Sequence, residues 1–196
     1  RLRPDFADGH FNLANTLAKF PDRRVEAIAH YETALRLQPD HADASNHLGN
    51  LLARDPAQLE RAIACFEAAL RRNPAFAEAH CNLGNALSRL SDRRSEALAH
   101  YAEAIRLRPD FTDAHYNLAV AYARLPDRHD EAIAAFSTVI RLQPDFAEAH
   151  FGLGVLLHEQ PGRRVEADRH FDIALRLRPD WTVARRHIER LRGKLP

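Results

Sequence analysis

Residues Arg106–Phe111 read R-L-R-P-D-F, and this hexapeptide sets how the rest of the chain is parsed. It stands also at Arg1–Phe6 and, with tryptophan in place of phenylalanine, at Arg176–Trp181. Between these copies the proline keeps the register: Pro4, Pro39, Pro74, Pro109, Pro144 and Pro179 recur every 35 residues. A fixed period of this length is the signature of an architecture in which each unit buries its apolar face against its neighbours.

Aligning the chain on these prolines brings its apolar positions into rows. One run carries Leu13, Leu48, Leu83, Leu118 and Leu153, then Ala14, Gly49, Gly84, Ala119 and Gly154, then Leu17, Leu52, Leu87, Tyr122 and Leu157. A second run carries Ala27, Ala62, Ala97, Ala132 and Ala167, then Tyr31, Phe66, Tyr101, Phe136 and Phe171, then Ala34, Ala69, Ala104, Val139 and Ala174. The steps of three and four residues put each run on one face of a helix, so each unit reads as helix, turn, helix. Small residues belong where two axes approach closely, and the aromatics are expected to fill the space between hairpins.

The helix ends are written in as well. In Asp5-x-x-Asp8, Asp40-x-x-Asp43, Asp110-x-x-Asp113 and Asp145-x-x-Glu148 the first acid is expected to cap the opening amides and the second to sit in the first turn. The proline before each acid ends the preceding helix. Pro21-Asp22, Asp55-Pro56, Ser91-Asp92, Pro126-Asp127 and Pro161-Gly162 mark the turn inside each hairpin.

Composition narrows the function classes. Lys and Arg number 28 against 27 Asp and Glu, a balance that gives no reason to expect nucleic acid as a partner. No stretch approaches the roughly 20 apolar residues of a membrane span. Cys65 and Cys81 are too few for a disulfide framework and lack zinc-site spacing, which fits a reducing, cytoplasmic setting. No metal, cofactor or catalytic residue is expected: there is no nucleophile elbow, phosphate loop or zinc signature. The twelve histidines include His10, His80, His115 and His150 on first helices and His30, His100 and His170 on second helices. Repeats stacked about 10 Å apart would not bring such a row to one metal ion, so these are read as packing residues.

These rows and the 35-residue period resemble tetratricopeptide repeats, over about residues 4–180. Two departures stand out: each copy has one residue more than the usual 34, and the large first-helix position is held by His10, Ser45, His80, His115 and His150 instead of tryptophan. The resemblance implies an all-α, right-handed α-solenoid of helix-turn-helix repeats. The repeats fall at 5–39, 40–74, 75–109, 110–144 and 145–179, with 1–4 as the tail of a preceding repeat and 180–196 as a capping helix. Arg185, Arg186, Arg190 and Arg192 suit the solvated face of such a cap, and the fragment at the start suggests that chains can also stack end to end.

The resemblance further implies that first helices line the concave side. One row there is Asn12, His47, Asn82, Asn117 and Gly152; its neighbour is Asn15, Asn50, Asn85, Val120 and Val155; a third is Phe11, Asn46, Cys81, Tyr116 and Phe151. The first row resembles the asparagine ladder of the superhelical domain of O-linked N-acetylglucosamine transferases, where amides read the backbone of an extended peptide. A carboxamide both donates and accepts, which suits it to that task. The expected peptide-binding set is Asn12, Asn15, Asn46, His47, Asn50, Asn82, Asn85, Tyr116, Asn117, Val120, Phe151 and Val155, polar in repeats one to three and apolar in four and five. The carboxylate clamp of chaperone-tail binders is not expected, because Phe11, Cys81, Asp8, Glu78 and Asn82 stand where its cations would be. The sequence thus reads as an interaction scaffold for a protein or peptide, or alternatively as the substrate-presenting arm of a larger enzyme such as a glycosyltransferase.

Overall fold

The computed structural model describes residues 6–193, and it is helical as the periodicity predicts. The chain divides into two compact units, Arg1–Pro109 and Asp110–Pro196. The first contains α1 (Ala7–Leu17), α2 (Arg24–Leu37), α3 (Ala42–Leu52), α4 (Leu59–Arg72), α5 (Ala77–Leu87) and α6 (Arg94–Leu107). The second contains α7 (Thr112–Ala123), α8 (His129–Leu142), α9 (Ala147–Glu159), α10 (Arg164–Leu177) and α11 (Thr182–Leu191). Within each unit consecutive helices pair as antiparallel hairpins, and each second helix also packs on the first helix of the following hairpin.

The turns form where the sequence places them. Pro21, Pro56 and Pro126 each open a short 3-10 segment, where the ring fixes φ and the missing amide hydrogen does no harm. In the last hairpin Gly162 has φ of +79°, a left-handed conformation that glycine adopts without strain.

The caps differ from expectation. The first helices begin one residue later than the acids suggest, and the capping positions are Phe6, His41, Phe76, Phe111, Phe146 and Trp181. Only His41 caps with its side chain, accepting from the Ala44 amide at 3.4 Å. Asp5 lies outside the described residues, and Asp40 bonds Arg72 at 2.6 Å. Packing competes with the caps: His41 lies against Phe11 at 4.6 Å, Phe146 against Tyr116 at 4.9 Å and Trp181 against Phe151 at 5.2 Å, so the chain enters α3, α9 and α11 pinned by a ring. The second acid does fall in the first turn, and there Glu78 and Glu148 accept from Arg108 and Arg178 at the far end of the same hairpin.

The aromatics are also placed differently. Tyr31, Phe66 and Phe171 are almost wholly buried, and each burial is worth about 4–6 kcal/mol of gross transfer free energy. They lie inside their own hairpins as well as between hairpins. A Cβ built on Gly49 would sit 2.6 Å from Phe66, on Gly84 2.7 Å from Tyr101, and on Gly154 2.6 Å from Phe171, while Gly152 faces Phe136 of the preceding hairpin at 2.6 Å. Glycine therefore opens the slot that the ring fills. Gly49→Val is expected to cost about 2–3 kcal/mol by overpacking, read as a lower urea midpoint; an unchanged midpoint would show that the slot is loose.

At the end of the chain, Ala184 and Ile188 of α11 are buried while Arg185, Arg186 and Arg190 stay exposed. Arg192 bonds Asp168 at 2.6 Å and Asp172 at 2.9 Å. This is a helix with one apolar face and one solvated face.

Candidate peptide-binding face

In the first unit α1, α3 and α5 are the first helices of their hairpins, and the expected asparagines of repeats one to three all lie on them. Their amides are not equivalent. The Tyr31 hydroxyl donates to Asn15 Oδ1 at 2.6 Å, and His47 Nδ1 bonds the same oxygen at 2.7 Å. Burial pushes the Tyr31 hydroxyl up to about 12 and holds His47 below the usual imidazole value, so at neutral pH both are uncharged donors. The carbonyl of Asn15 is thereby saturated, and only its NH2 group remains to face outward. In the third hairpin the Tyr101 hydroxyl donates in the same way to Asn85 Oδ1 at 2.8 Å.

Asn46 is buried and accepts from Asn82 Nδ2 at 2.9 Å, a bond that ties α3 to α5. Asn12 and Asn50 remain: both are exposed, and among the described residues neither side chain has a partner. Asn50 sits where Asn15 and Asn85 sit in their hairpins, but the ring at the matching register is Phe66, which has no hydroxyl to hold it. The row that reads Asn, Asn, Asn in the sequence thus holds two structural amides and one that is free.

In the second unit the expected residues lie on α7 and α9. Asn117 is half-buried and engaged. Tyr116 contacts the rings of Phe136 and Phe146, and Phe151 contacts those of Phe171, Trp181 and His187. Val120 and Val155 pack against the same core, so these four side chains are half-buried. By register Val155 pairs with Phe171 and Val120 with Phe136, as Asn15 pairs with Tyr31: each phenol has an amide opposite, whereas the phenyl rings of this unit have valines and that of Phe66 has the unbonded Asn50.

Three features lie outside what the rows of the sequence reveal. The first is a set of histidine pairs within hairpins: His10–His30 at 2.9 Å, His80–His100 at 3.0 Å and His150–His170 at 2.9 Å, each between Nδ1 atoms. The signal that finds them is their constant separation of 20 residues, which runs across each hairpin and not along the rows. The second is that Arg23, Arg93, Arg128 and Arg163 are engaged by Glu26, Glu96, Glu131 and Glu166, three residues on. The third is a cleft of about 400 Å³ lined in part by Asn15, Lys19, Tyr31, His47, Asn50 and Arg54. No group of three or more histidine, cysteine or acidic side chains is placed to hold a metal ion among the described residues. No helix among them is long and apolar enough to cross a membrane.

Stacked helical hairpins with this periodicity define a repeat protein of the helix-turn-helix class. The TPR repeat family model matches residues 25–55, 58–91, 93–125 and 127–160, more than half of the chain, and the chain belongs to that family. Among solved structures it is similar to YrrB, described as a TPR protein with an unusual peptide-binding site, with 26% identity, TM-score 0.73, and coverage of 94% of this chain and 93% of that one. It is similar also to the MamA protein, with 26% identity, TM-score 0.72, and coverage of 87% and 91%. TTC0263, a thermophilic TPR protein of Thermus thermophilus, shares the fold at 21% identity, TM-score 0.70, and coverage of 95% and 98%. No curated protein sequence is similar enough to count as a relative. The TPR fold and these neighbours support a role in protein interaction.

Proposed function

We propose that this protein is a non-catalytic interaction scaffold, and that the first-helix face of its first unit binds an extended peptide segment. The observation that carries this reading is the pair of free amides, Asn12 and Asn50. Asparagine is a poor helix former, and in mid-helix it disfavours the fold unless its side chain is used. Asn15, Asn46, Asn82 and Asn85 are used by the fold. Asn12 and Asn50 have no such role, which fits amides kept for a partner's peptide groups. YrrB, with its peptide-binding site, is consistent with this use of the fold. The proposal stays with the first unit because Tyr116, Val120, Phe151 and Val155 of the second pack against its core.

The test separates binding from folding. Peptides are selected from a random dodecapeptide display library on the purified protein, and the best is measured by fluorescence anisotropy. Asn12→Ala with Asn50→Ala is expected to weaken it roughly tenfold or more, since two amide hydrogen bonds are lost at about 0.5–1.5 kcal/mol each. Stability is expected to rise by about 0.5 kcal/mol per substitution, because alanine is the better helix former. Unchanged affinity in the double variant would overturn the role of the amides, and failure to select any peptide would count against the groove itself.

A further inference from the structure

We infer that the cleft between α1 and α3 takes a carboxylate, and that the peptide bound by the first unit is therefore an acidic one, with an Asp or Glu side chain seated between Lys19 and Arg54. This rests on the peptide-binding reading above and adds the chemistry of the partner to it. Three observations converge.

The first is charge. Lys19 and Arg54 are exposed, both line the cleft, and no carboxylate of the described residues lies within ion-pair distance of either. None of the residues lining the cleft is acidic. Two other clefts offer a contrast: the one around His80 and His100 sets Arg71 and Arg93 against Glu67, Glu96 and Glu103, and the one around Arg192 sets it against Asp168 and Asp172. In those the charge is balanced from within, whereas here it is left over.

The second is hydrogen-bond polarity. Because Tyr31 and His47 both bond Asn15 Oδ1, Asn15 presents only its NH2 group. An amide fixed in this way, with an ammonium and a guanidinium beside it, makes a surface of donors, and the complement of such a surface is an anion with several acceptor lone pairs. A peptide carbonyl alone would leave both cations unmatched.

The third is local. Arg89 holds the position in the third hairpin that Lys19 and Arg54 hold in the first two, yet its Nη1 donates to the Ala53 carbonyl at 2.6 Å. Arg89 is committed to the end of α3, so the uncompensated charge is concentrated at the first two hairpins, beside the free amide of Asn50. A guanidinium fork and a single ammonium suit the flat, two-oxygen carboxylate of an acidic side chain.

The experiment uses the whole chain and the dodecapeptide library. Selected peptides are expected to be enriched in Asp and Glu, and a fluorescein-labelled acidic lead is expected to bind at least tenfold more tightly than its Gln or Asn counterpart, with the margin shrinking as salt rises. Lys19→Ala with Arg54→Ala should erase that margin, leaving the acidic lead and its neutral counterpart with equal affinity. Selection of peptides without acidic enrichment, or equal affinity for the two peptides, would overturn the inference and leave the groove reading standing. No selectable peptide at all would sink both. Tighter binding of a lead carrying phosphoserine in place of its acid would reassign the cleft to phosphate. Circular dichroism of the variant keeps a folding defect from passing as lost recognition.

Discussion

Phe171→Ala is expected to destabilise the protein by about 3–5 kcal/mol, the largest loss from any single side chain described here. At about 2–4 °C per kcal/mol for a chain of this size, the melting temperature should fall by roughly 10 °C. The ring is fully buried, fills the slot opened by Gly154, lies within reach of Phe151 and His158, and has the Arg192 guanidinium 5.9 Å from its centre. Glycine has no side chain with which to fill the void, so the cavity would persist. A second variant tests why the ring is phenyl and not phenol. Phe171→Tyr should cost about 1 kcal/mol, because the hydroxyl would point toward Val155, which offers no acceptor. Adding Val155→Asn should recover that loss by recreating the bond seen between Tyr31 and Asn15. Thermal melts by circular dichroism check both, and a double variant no more stable than Phe171→Tyr alone would refute the pairing.

Acidification from pH 7.5 to pH 5 is expected to lower the melting temperature by several degrees through the histidine pairs. His80 Nε2 lies 3.0 Å from the Pro74 carbonyl, and His150 Nε2 lies 3.0 Å from that of Pro144. A carbonyl only accepts, so these nitrogens carry the proton, and each Nδ1 is left to accept from the Nδ1 of His100 or His170. Such a pair shares one hydrogen, and a second proton would set two N–H groups against each other. Burial first, and then the partner histidine, hold His30, His100 and His170 below the usual imidazole value; Glu26, Glu96, Glu103 and Glu166 pull upward, while Arg93 and Arg163 reinforce the lowering at His100 and His170. A depressed imidazole makes the unfolded chain the better proton acceptor. The contribution is therefore complete above the unfolded value of about 6.5 and declines as pH falls from there toward the lower folded values. The paired glutamates Glu26, Glu96 and Glu166 have folded values below the usual carboxylate range, so their contribution is lost only at more acid pH. Replacing His30, His100 and His170 by Gln should flatten the slope between pH 7.5 and pH 5, and an unaltered slope would assign it elsewhere.

Much of the fold was legible because helix periodicity is a property of one strand of sequence. The 35-residue proline register, the alanine and leucine rows and the turn residues required no knowledge of what lies across the hairpin. The site was less legible for the opposite reason. Asn15, Asn50 and Asn85 are the same residue at the same register, and only the ring opposite, phenol or phenyl, decides which amide is free. The capping acids misled because a cap competes with packing, and the aromatic that follows two residues after the proline took the position. The leftover charge of Lys19 and Arg54 was hidden for a similar reason, since Arg89 continues their row and only its bond to Ala53 distinguishes it.

The histidine pairs also change what counts as one copy. They occur in the first, third and fifth hairpins, whereas the matching positions are Ser45 and Cys65 in the second and His115 and Ala135 in the fourth. Arg23-Arg24, Arg93-Arg94 and Arg163-Arg164 alternate in step with them. The chain therefore beats with a double stride: its smallest self-similar module is a doublet of hairpins, odd and even, and an excision that preserves its internal grammar must remove both members together.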